Sequence, residues 1–533
     1  MDRLHSYSDW RTFFNSASGK QYFSEIYGEQ TELLDDRIRA FQSLVSSFEK
    51  TYGAQKPFFI VRIPARINLM GVHVEHRGGY VNYMTIGKET LIAVAPRTDD
   101  EIHFSNIQNR FAPFSFSIAA EFPESKRGNW LTYIDQVSVQ RGNWENYIRA
   151  ASFYLQNSCA KPLRGMEVVV SGNIPLAAGL SSSSTLVVGT IEAMDYINQL
   201  NLSQSDKTIM AGEAEWYVGT RGGAGDHAAM FFGKRNAIAH LQFFPLKAEM
   251  IPFPENMRVV ACNSMVPAEK SAGARDIFNE RVVTYEIAFM LLAQKYPAFK
   301  NVVHLRDWNS TDLKIEPAEL YRMLKSLPIS LTREQLSKQL PEKHKRLATL
   351  FSTHREPENG YQVRAVCMFG LGECARSERA GELLKSGNIE EFGRLMYVSH
   401  DGDRVAISND QNQMHPFQKD FSDRYFDKLI RDAGNGEAEA AMEMQPGGYN
   451  CSTEEMDLLV DVVRNVDGVV GAGLTGAGLG GMVLVLVKRE HVDELLKVLK
   501  RKYYEPRGLP LGAETCISVD GVSMLDIPRH RAE

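Results

Sequence analysis

The stretch Pro175-Leu-Ala-Ala-Gly-Leu-Ser-Ser-Ser-Ser-Thr185 decides the fold that the sequence predicts. Residues 166–171 before it have a strand-like pattern, and residues 181–200 after it carry apolar side chains at helical spacing. Backbone N–H groups and the dipole at such a helix N-terminus bind anions, and small hydroxyl side chains leave room for phosphate oxygens. Four consecutive serines exceed what a helix cap needs, although a serine-rich cap without a ligand is the alternative. We therefore predict a phosphate-binding loop. It is not a Walker A loop, because the sequence there lacks the Gly-x-x-x-x-Gly-Lys pattern.

A second glycine-rich segment runs from Gly219 to His227 in the order Gly-Thr-Arg-Gly-Gly-Ala-Gly-Asp-His. Small, flexible residues around a single acid expose the carboxylate of Asp226 at a loop or at the start of a helix. A general base needs this kind of access to the proton of a substrate. The segment favours Asp226 as a catalytic base, and the alternative is an aspartate that only caps a helix.

A third cluster, Gly471-Ala-Gly-Leu-Thr-Gly-Ala-Gly-Leu-Gly-Gly481, contains the pattern Gly-x-Gly-x-x-Gly, and an acidic residue, Glu490, follows it. This pattern occurs in dinucleotide-binding folds, so a Rossmann-type oxidoreductase is one alternative. Such a fold needs a helix that begins inside the glycines, whereas residues 482–487 have the pattern of a strand. Residues 469–487 carry no charge, but their glycines disfavour a membrane-spanning helix. We predict a strand, a glycine loop and a second strand.

The composition is that of a globular protein. The chain has 533 residues, of which 44% are hydrophobic and 24% are charged, and its net charge is −6. These values exclude a disordered or collagen-like chain, and the lack of a basic excess argues against a nucleic-acid partner. The six cysteines form no Cys-x-x-Cys pair, which favours reduced thiols in a cytoplasmic protein. The first residues contain no basic segment followed by an apolar run, so we predict no signal peptide and no membrane partner.

Strand and helix patterns alternate along the chain and predict an α+β protein with two lobes. The predicted domains are residues 1–240 and 241–533, with a polar insertion at about 406–446 that holds four basic and eight acidic residues. Apolar residues at helical spacing inside the insertion predict a short amphipathic helix. The first predicted strands lie at 58–63, 80–86 and 91–95.

Three ordered segments of the sequence read Pro64-Ala-Arg-Ile-Asn-Leu-Met-Gly-Val-His-Val-Glu-His-Arg-Gly-Gly79, Pro175–Thr185 and Leu474–Gly481. Shorter supporting segments are Trp144-x-Asn-Tyr147, Phe278-Asn-Glu-Arg281, Ser399-His400 and Tyr449-x-x-Ser452. Together they resemble the galactokinase family of the GHMP superfamily, and the spacing from Glu215 to Asp226 is most similar to that of N-acetylgalactosamine kinases. The resemblance implies a two-lobed GHMP kinase fold. Its N-terminal domain would be a ribosomal-protein-S5-like α/β domain, and its C-terminal domain a ferredoxin-like α+β domain.

The resemblance also implies an ATP-dependent sugar 1-kinase that phosphorylates the anomeric hydroxyl of a galactose-configured sugar. Asp226 would be the catalytic base and Arg66 the cation beside it, while Ser182 and Glu215 would hold Mg²⁺. The residues implied to bind ATP are Pro175, Gly179, Leu180, Ser181, Ser182, Ser183, Ser184, Gly476 and Gly478. The residues implied to bind the sugar are Val72, His73, Glu75, His76, Asp226 and Phe278. The partners would be a small-molecule sugar and ATP, bound by a monomer.

The sugar-site segment departs from the galactokinase pattern Gly-Glu-His-x-Asp-Tyr, because it reads Gly71-Val-His-Val-Glu-His76. Val72 stands in place of the usual glutamate, and an apolar residue there resembles the galacturonate kinases of plants. A buried glutamate would repel a sugar carboxylate, so its absence relieves a like-charge contact. Valine would also tolerate a pentose that lacks C6. The candidate substrates are galacturonate, galactose and arabinose, and the alternative is that residue 72 only repacks and galactose still binds.

Other positions also depart from the family pattern. Glu75 replaces an aspartate, His76 and Phe278 each replace a tyrosine, and His227 replaces a glutamine. The candidate cations for a sugar carboxylate are Arg77, His76 and Arg221. A non-catalytic sugar and ATP sensor is a rival function, although a sensor could have lost residues such as Arg66 and Asp226, which this chain retains.

Overall fold

A computed structural model describes residues 3–29, 31–137, 139, 142–175, 179–219, 222–267, 272–409 and 413–527. The β-strands in these ranges are β1 (Phe59–Met70), β2 (Val81–Pro96), β3 (Glu101–Asn106), β4 (Phe114–Ser117), β5 (Met166–Gly172), β6 (Ala237–Gln242), β7 (Lys247–Pro252), β8 (Met257–Asn263), β9 (Ala406–Ser408), β10 (Met414–Pro416), β11 (Val469–Leu474), β12 (Met482–Lys488), β13 (Ala513–Thr515) and β14 (Ser523–Met524). The α-helices are α1 (Tyr7–Asn15), α2 (Ala17–Tyr27), α3 (Thr31–Tyr52), α4 (Ile118–Glu121), α5 (Trp130–Gln136), α6 (Glu145–Ser158), α7 (Ser182–Asn198), α8 (Gln204–Glu215), α9 (Gly225–Phe232), α10 (Ala272–Lys295), α11 (Ser310–Leu313), α12 (Pro317–Lys325), α13 (Arg333–Gln339), α14 (His344–Phe351), α15 (Val363–Lys385), α16 (Ile389–Asp403), α17 (Asp423–Gly434), α18 (Glu454–Arg464) and α19 (Val492–Leu499).

The first sheet has eight strands in the described ranges. Their order is β14-β1-β2-β5-β3-β4, and β6 and β7 branch from β2. The parallel pair is β3 and β5, while the other neighbours are antiparallel. β1 runs well beyond the predicted end at residue 63. It does so because a register shift between Pro64 and Ala65 accommodates the proline, which has no N–H to donate to the ladder.

β2 is one strand, so the prediction of two strands at 80–86 and 91–95 was wrong in that respect. The polar residues between them have a turn-like composition, but each finds a partner in a distant part of the chain. Gly87 donates its N–H to the Ile517 carbonyl oxygen at 2.9 Å. Glu89 is fully buried and pairs with Arg62 and Arg37. Long-range partners thus keep the strand extended through its polar centre.

The second sheet has the order β11-β12-β8-β13 with antiparallel pairs. The third glycine cluster joins β11 to β12, which confirms the predicted strand, loop and strand. The Rossmann alternative was wrong, because the glycines lead into an antiparallel strand. Gly478 in this turn has a φ of +72°, and a Cβ there would lie 2.1 Å from the Cys451 carbonyl oxygen. In the described part of the chain, no helix has the length and apolar character to span a bilayer.

The two sheets belong to two lobes, which agrees with the predicted α+β class. The chain leaves the first sheet after β7 and enters the second at β8. We propose that the lobes divide at residues 253–256, since the boundary predicted after residue 240 falls inside β6. The insertion at 406–446 contains β9, β10 and α17. α17 confirms the predicted amphipathic helix, because it buries Phe426 and Leu429 in the core of the second lobe.

Helix α3 covers the first sheet on the side opposite α7. Its side chains Phe41, Leu44 and Phe48 are fully buried and pack with strand residues of β1, β2 and β5. The ring of Phe48 also stacks on that of Phe58, with centroids 4.2 Å apart. The helix therefore seals the face of the sheet that is turned away from the glycine-rich segments.

Phe48→Ala should lower the free energy of unfolding by about 3–5 kcal/mol, because it removes a buried ring and leaves a cavity that its neighbours cannot fill. Ser46→Ala, on the exposed face of the same helix, should change it by less than about 0.5 kcal/mol. Urea denaturation of both variants measures the difference. Equal stability of the two variants would contradict the assigned packing.

Candidate functional site

Three segments that are far apart in the sequence, residues 64–79, 175–185 and 471–481, meet at the junction of the lobes. Asn68 on β1 donates its N–H to Thr475 Oγ1 at 3.0 Å. Arg66, two residues earlier on β1, donates from Nη1 to the Gly179 carbonyl oxygen at 2.7 Å. A Cβ on Gly476 would lie 3.4 Å from that same oxygen, so the two glycine turns are in close contact. Segments far apart in the sequence thus form one site.

Arg66 and Asp226 form the centre of the site. Asp226 lies in the first turn of α9, and Arg66 binds both its oxygens, from Nε and Nη2, at 2.6 Å each. Ser181 donates a further hydrogen bond to Asp226, and the Tyr83 hydroxyl donates another at 3.2 Å. Although burial alone would raise the pKa of Asp226, the charge of Arg66 and its hydrogen bonds lower it to about 2. Asp226 is therefore ionised at neutral pH, and its side chain keeps 26% exposure.

The loop of residues 71–78 passes beside this pair. Glu75 accepts a hydrogen bond from the Gly225 N–H at 2.8 Å, next to Asp226 in the chain. Burial, together with the charge of Asp226, raises the pKa of Glu75 to about 7. Val72 is buried, and its side chain offers no polar atom. The structure thus brings Glu75 and Val72 to the same loop, with the carboxyl turned toward α9.

The histidines of this loop face the second lobe. The ring of His73 stacks on Tyr449 with centroids 4.3 Å apart, and its Nε2 lies 3.4 Å from Asp403 Oδ2. Burial lowers the pKa of His76 well below its usual value, with smaller effects from Arg77 and His73, so His76 is neutral at pH 7.

Arg77 crosses to α10, where Nη2 donates to the Val282 carbonyl oxygen at 2.6 Å and the guanidinium lies over the Tyr285 ring. Phe278 lies one turn before Val282 on α10 and is half-buried. Arg221, the third candidate cation, lies outside the described residues.

The phosphate-binding loop leads directly into α7. Gly179 and Ser181 both have positive φ values, +76° and +58°, and Ser181 is the residue before the helix. Leu180 between them is buried, and Pro175 is exposed, while residues 176–178 lie outside the described ranges. This backbone turns the N-terminus of α7 toward Arg66 and Gly476. Of the predicted ATP residues, Gly179, Ser181, Ser182 and Gly476 therefore lie at or near a helix N-terminus, which favours an anion.

Glu215, the last residue of α8, lies beside the first turn of α7. It accepts hydrogen bonds from Ser183 at 3.2 Å and Ser184 at 2.9 Å, whereas Ser182 begins the helix. His227 Nε2 lies 2.8 Å from Glu215 Oε2, the same oxygen that accepts the hydrogen bond from Ser184. Within the described ranges, no three His, Cys, Asp or Glu side chains are grouped to hold a metal ion. One carboxylate with hydroxyl neighbours suits Mg²⁺, which prefers oxygen ligands and retains several waters.

Sequence reasoning missed several residues that shape the site. Tyr83 contacts Asp226 from β2, Asp403 faces His73, and Glu373 on α15 accepts the N–H groups of Gly71 and Val72. Tyr83 lies on a predicted strand next to the site, so strand alternation gave a partial signal. Asp403 and Glu373 carry no local signal, because their partners are far away in the sequence.

Comparison with known proteins finds similar families and relatives. The chain matches models described as the GHMP kinases N terminal domain (residues 146–234), the galactokinase galactose-binding signature (residues 46–96) and GHMP kinases C terminal (residues 424–505). It is 28% identical to the galactokinase of Dictyostelium discoideum over 500 residues, which cover 89% of this chain and 91% of that protein. It is 26% identical to the galactokinase of Roseiflexus sp. (strain RS-1) over 476 residues, covering 89% and 95%.

Among solved structures, the chain is similar to Lactococcus lactis galactokinase complexed with galactose. The TM-score is 0.63 at 20% sequence identity, and the match covers 90% of this chain and 98% of the other, which supports the GHMP kinase fold. The chain is thus similar to GHMP kinases in three separate segments, and to galactokinases over about nine tenths of its length. The resemblance stated from the sequence is thereby confirmed, and an oxidoreductase function was wrong.

Arg66→Met should raise the pKa of Asp226 above about 2, because the cation is lost while burial remains. The wild-type carboxylate stabilises the folded state above the pKa of an unfolded aspartate, 3.8, and loses that contribution as the pH falls through about 2. Carboxyl ¹³C NMR of labelled aspartate, with Asp226→Asn to assign the signal, measures the shift. Arg97→Met removes an equivalent bidentate partner from Asp99 and should leave Asp226 unchanged. A titration of Asp226 that is the same in all three proteins would contradict the assigned ion pair.

Proposed function

We propose that this protein is an Mg²⁺- and ATP-dependent sugar 1-kinase, which transfers the γ-phosphoryl group of ATP to the anomeric hydroxyl of a galactose-configured sugar. The observation that carries the proposal is the set of bonds made by Arg66. One guanidinium binds the carboxylate of Asp226 and also the carbonyl oxygen and hydroxyl of the phosphate-binding loop, at Gly179 and Ser181. A proton acceptor and a phosphate site are therefore held next to each other.

In the proposed reaction, the anomeric hydroxyl donates a hydrogen bond to Asp226. Its oxygen forms a bond to the γ-phosphorus, the bond from that phosphorus to the β–γ bridging oxygen breaks, and ADP leaves with the electron pair. The hydroxyl proton passes to Asp226. Because the pKa of Asp226 is about 2, it is a weak base, and it takes the proton only as the sugar oxygen donates its electron pair to phosphorus and its hydroxyl proton becomes acidic. Arg66 keeps Asp226 ionised, so that its carboxylate can accept that proton.

Ser182 and Glu215 would hold Mg²⁺ in this proposal, with Ser183 and Ser184 orienting the carboxylate of Glu215. The donors are hard oxygen atoms, which fit the ion. When bound, the ion neutralises charge on the β- and γ-phosphates. The protein's own part is to position the phosphates at the N-terminus of α7 and to direct the sugar hydroxyl between Asp226 and Arg66.

We place an acidic sugar of the galacturonate type first among the substrates, then galactose, then arabinose. Val72 removes the carboxylate that would repel a uronate. Arg77 supports the same order, because it forms no ion pair with any carboxylate of the described residues and its Nε has no hydrogen-bond partner there. His76 is neutral and the Tyr285 hydroxyl has no partner in the same ranges, so donors for an anion lie close together. Glu75, His73 and Phe278 complete the proposed sugar site.

We further propose a monomeric, cytoplasmic protein. Its six cysteines are free thiols, which suits a reducing compartment. Light scattering on the purified protein measures its mass directly.

The function is tested with labelled ATP and a panel of galacturonate, galactose and arabinose. Sugar-dependent release of ADP with a sugar 1-phosphate as product supports the kinase. Tight binding of a sugar without ADP release contradicts it and favours the sensor instead.

Asp226→Asn should lower kcat by about 100-fold or more while leaving ATP binding nearly unchanged, because the amide cannot take the proton. Asp99→Asn is the matched control, since Asp99 is also held by two bonds from one arginine but lies away from the site. Single-turnover kinetics and calorimetric titration with ATP separate the two effects. If Asp226→Asn keeps more than about a third of wild-type turnover, Asp226 is not the base.

Val72→Glu should change the ratio of kcat/KM for galactose to that for galacturonate by about 10-fold or more in favour of galactose. The carboxylate of the new glutamate would repel the carboxylate of the uronate in a partly desolvated site. Val72→Gln introduces a side chain of the size of glutamate without its charge, so it should discriminate much less between the two sugars. The measurement is kcat/KM for both sugars with each protein. A wild type that strongly prefers galactose, or two variants that behave alike, would show that residue 72 acts by packing.

A further inference from the structure

Helix α15 passes through the core of the second lobe and carries a buried ion pair. Arg376 Nε donates to Glu373 Oε2 at 2.8 Å, and both side chains have 0% exposure. Desolvation of each charge is costly, so partners for the remaining polar atoms stabilise such a pair. Among the described residues Arg376 Nη2 has no hydrogen-bond partner, whereas Arg376 Nη1 and Glu373 Oε1 each have two. The other bonds of the pair therefore indicate what it holds in place.

The second oxygen of Glu373 binds the backbone of the 71–78 loop. Glu373 Oε1 accepts the N–H of Gly71 at 2.8 Å and the N–H of Val72 at 3.2 Å. Gly71 has a φ of +97°, and a Cβ on it would lie 2.2 Å from the Tyr80 carbonyl oxygen. The loop thus starts with a tight turn that requires glycine. The N–H groups of Gly71 and Val72 both donate to one carboxylate, that of Glu373.

Arg376 connects the same carboxylate to the insertion. Its Nη1 donates to the carbonyl oxygens of Gln445 at 2.7 Å and Glu443 at 3.1 Å. The side chain of Gln445 in turn donates to the carbonyl oxygens of Glu439 and Ala441. The end of the 406–446 insertion is therefore joined through Arg376 and Glu373 to the backbone at residues 71 and 72.

We infer that Glu373 is a positioning residue for the sugar, which fixes the backbone at Gly71 and Val72 and with it the neighbouring side chains of the loop. The inference rests on the proposed function, since it assigns the loop to sugar binding. Val72 has no polar group with which to anchor itself, so the position of the loop depends on bonds to its backbone. Glu373 supplies them from the other lobe, and the insertion holds Arg376 in the geometry that orients Glu373.

The test compares Glu373→Gln with Glu89→Gln. Glu89 is also fully buried and paired with arginine, at Arg62, but it does not contact residues 71–78. Glu373→Gln should weaken sugar binding by about 10-fold or more and leave ATP binding within about twofold, because one partner of the pair is lost and the loop is released. Glu89→Gln should lower the melting temperature and leave both affinities within about twofold. Calorimetric titration measures binding without turnover.

Hydrogen exchange provides the second measurement. The amides of Gly71 and Val72 should exchange slowly in the wild type and clearly faster in Glu373→Gln, whether or not any sugar is phosphorylated. Arg376→Lys keeps the charge but loses the bonds to the insertion, and it serves as the second variant if Glu373→Gln does not fold. In Arg376→Lys the amides of Gly71 and Val72 should exchange faster than in the wild type, but by less than is expected for Glu373→Gln. Fast exchange of both amides in the wild type, or equal loss of sugar affinity in the Glu373 and Glu89 variants, would overturn the inference. Slow exchange in a protein that phosphorylates no sugar would instead reject only the proposed function.

Discussion

The rest of the site depends on the hydrogen bonds made by the guanidinium of Arg66. It is buried and reaches α9 through Asp226 and the phosphate-binding loop through Gly179 and Ser181. Away from water each of these bonds is strong, and leaving one unmade is costly. Strand β1, the loop before α7 and the start of α9 therefore have one mutual arrangement. The long pairing of β1 with β2, in which Arg66 lies opposite Thr85, fixes the backbone of Arg66.

The site holds two carboxyl groups and one cation at its centre, and this imbalance divides their roles. Arg66 neutralises Asp226 and lowers its pKa, while burial, together with the nearby charge of Asp226, raises the pKa of Glu75 to about 7. Asp226 is thus an acceptor at every working pH. Glu75 carries a proton below pH 7 and can donate to a ligand, whereas above pH 7 it can only accept. Two acidic side chains near each other need not do the same work.

Much of the fold follows from local pattern, and the site only in part. The turn at Gly478 and the serines at the start of α7 were predictable, because the backbone there needs those residue types. The continuity of β2 was not, since Glu89 finds its arginine partners from other elements. The order of contact within the four serines was not predictable either. Which of them faces Glu215 depends on where α7 begins, and the sequence does not fix that residue.

The pairing of β14 with β1 has a consequence for how the chain folds as it is synthesised. Residues 520–525 complete the first lobe: Leu525 donates to the Ile60 carbonyl oxygen, and the buried Arg62 donates to the carbonyl oxygens of Asp520 and Gly521. Domains generally fold in the order in which the ribosome releases them. Here the partners of strand β1 at the sheet edge and of the buried Arg62 are residues that the ribosome adds only after the whole second lobe. The nascent first lobe therefore leaves the ribosome with an open strand edge, which is the kind of surface that chaperones cover.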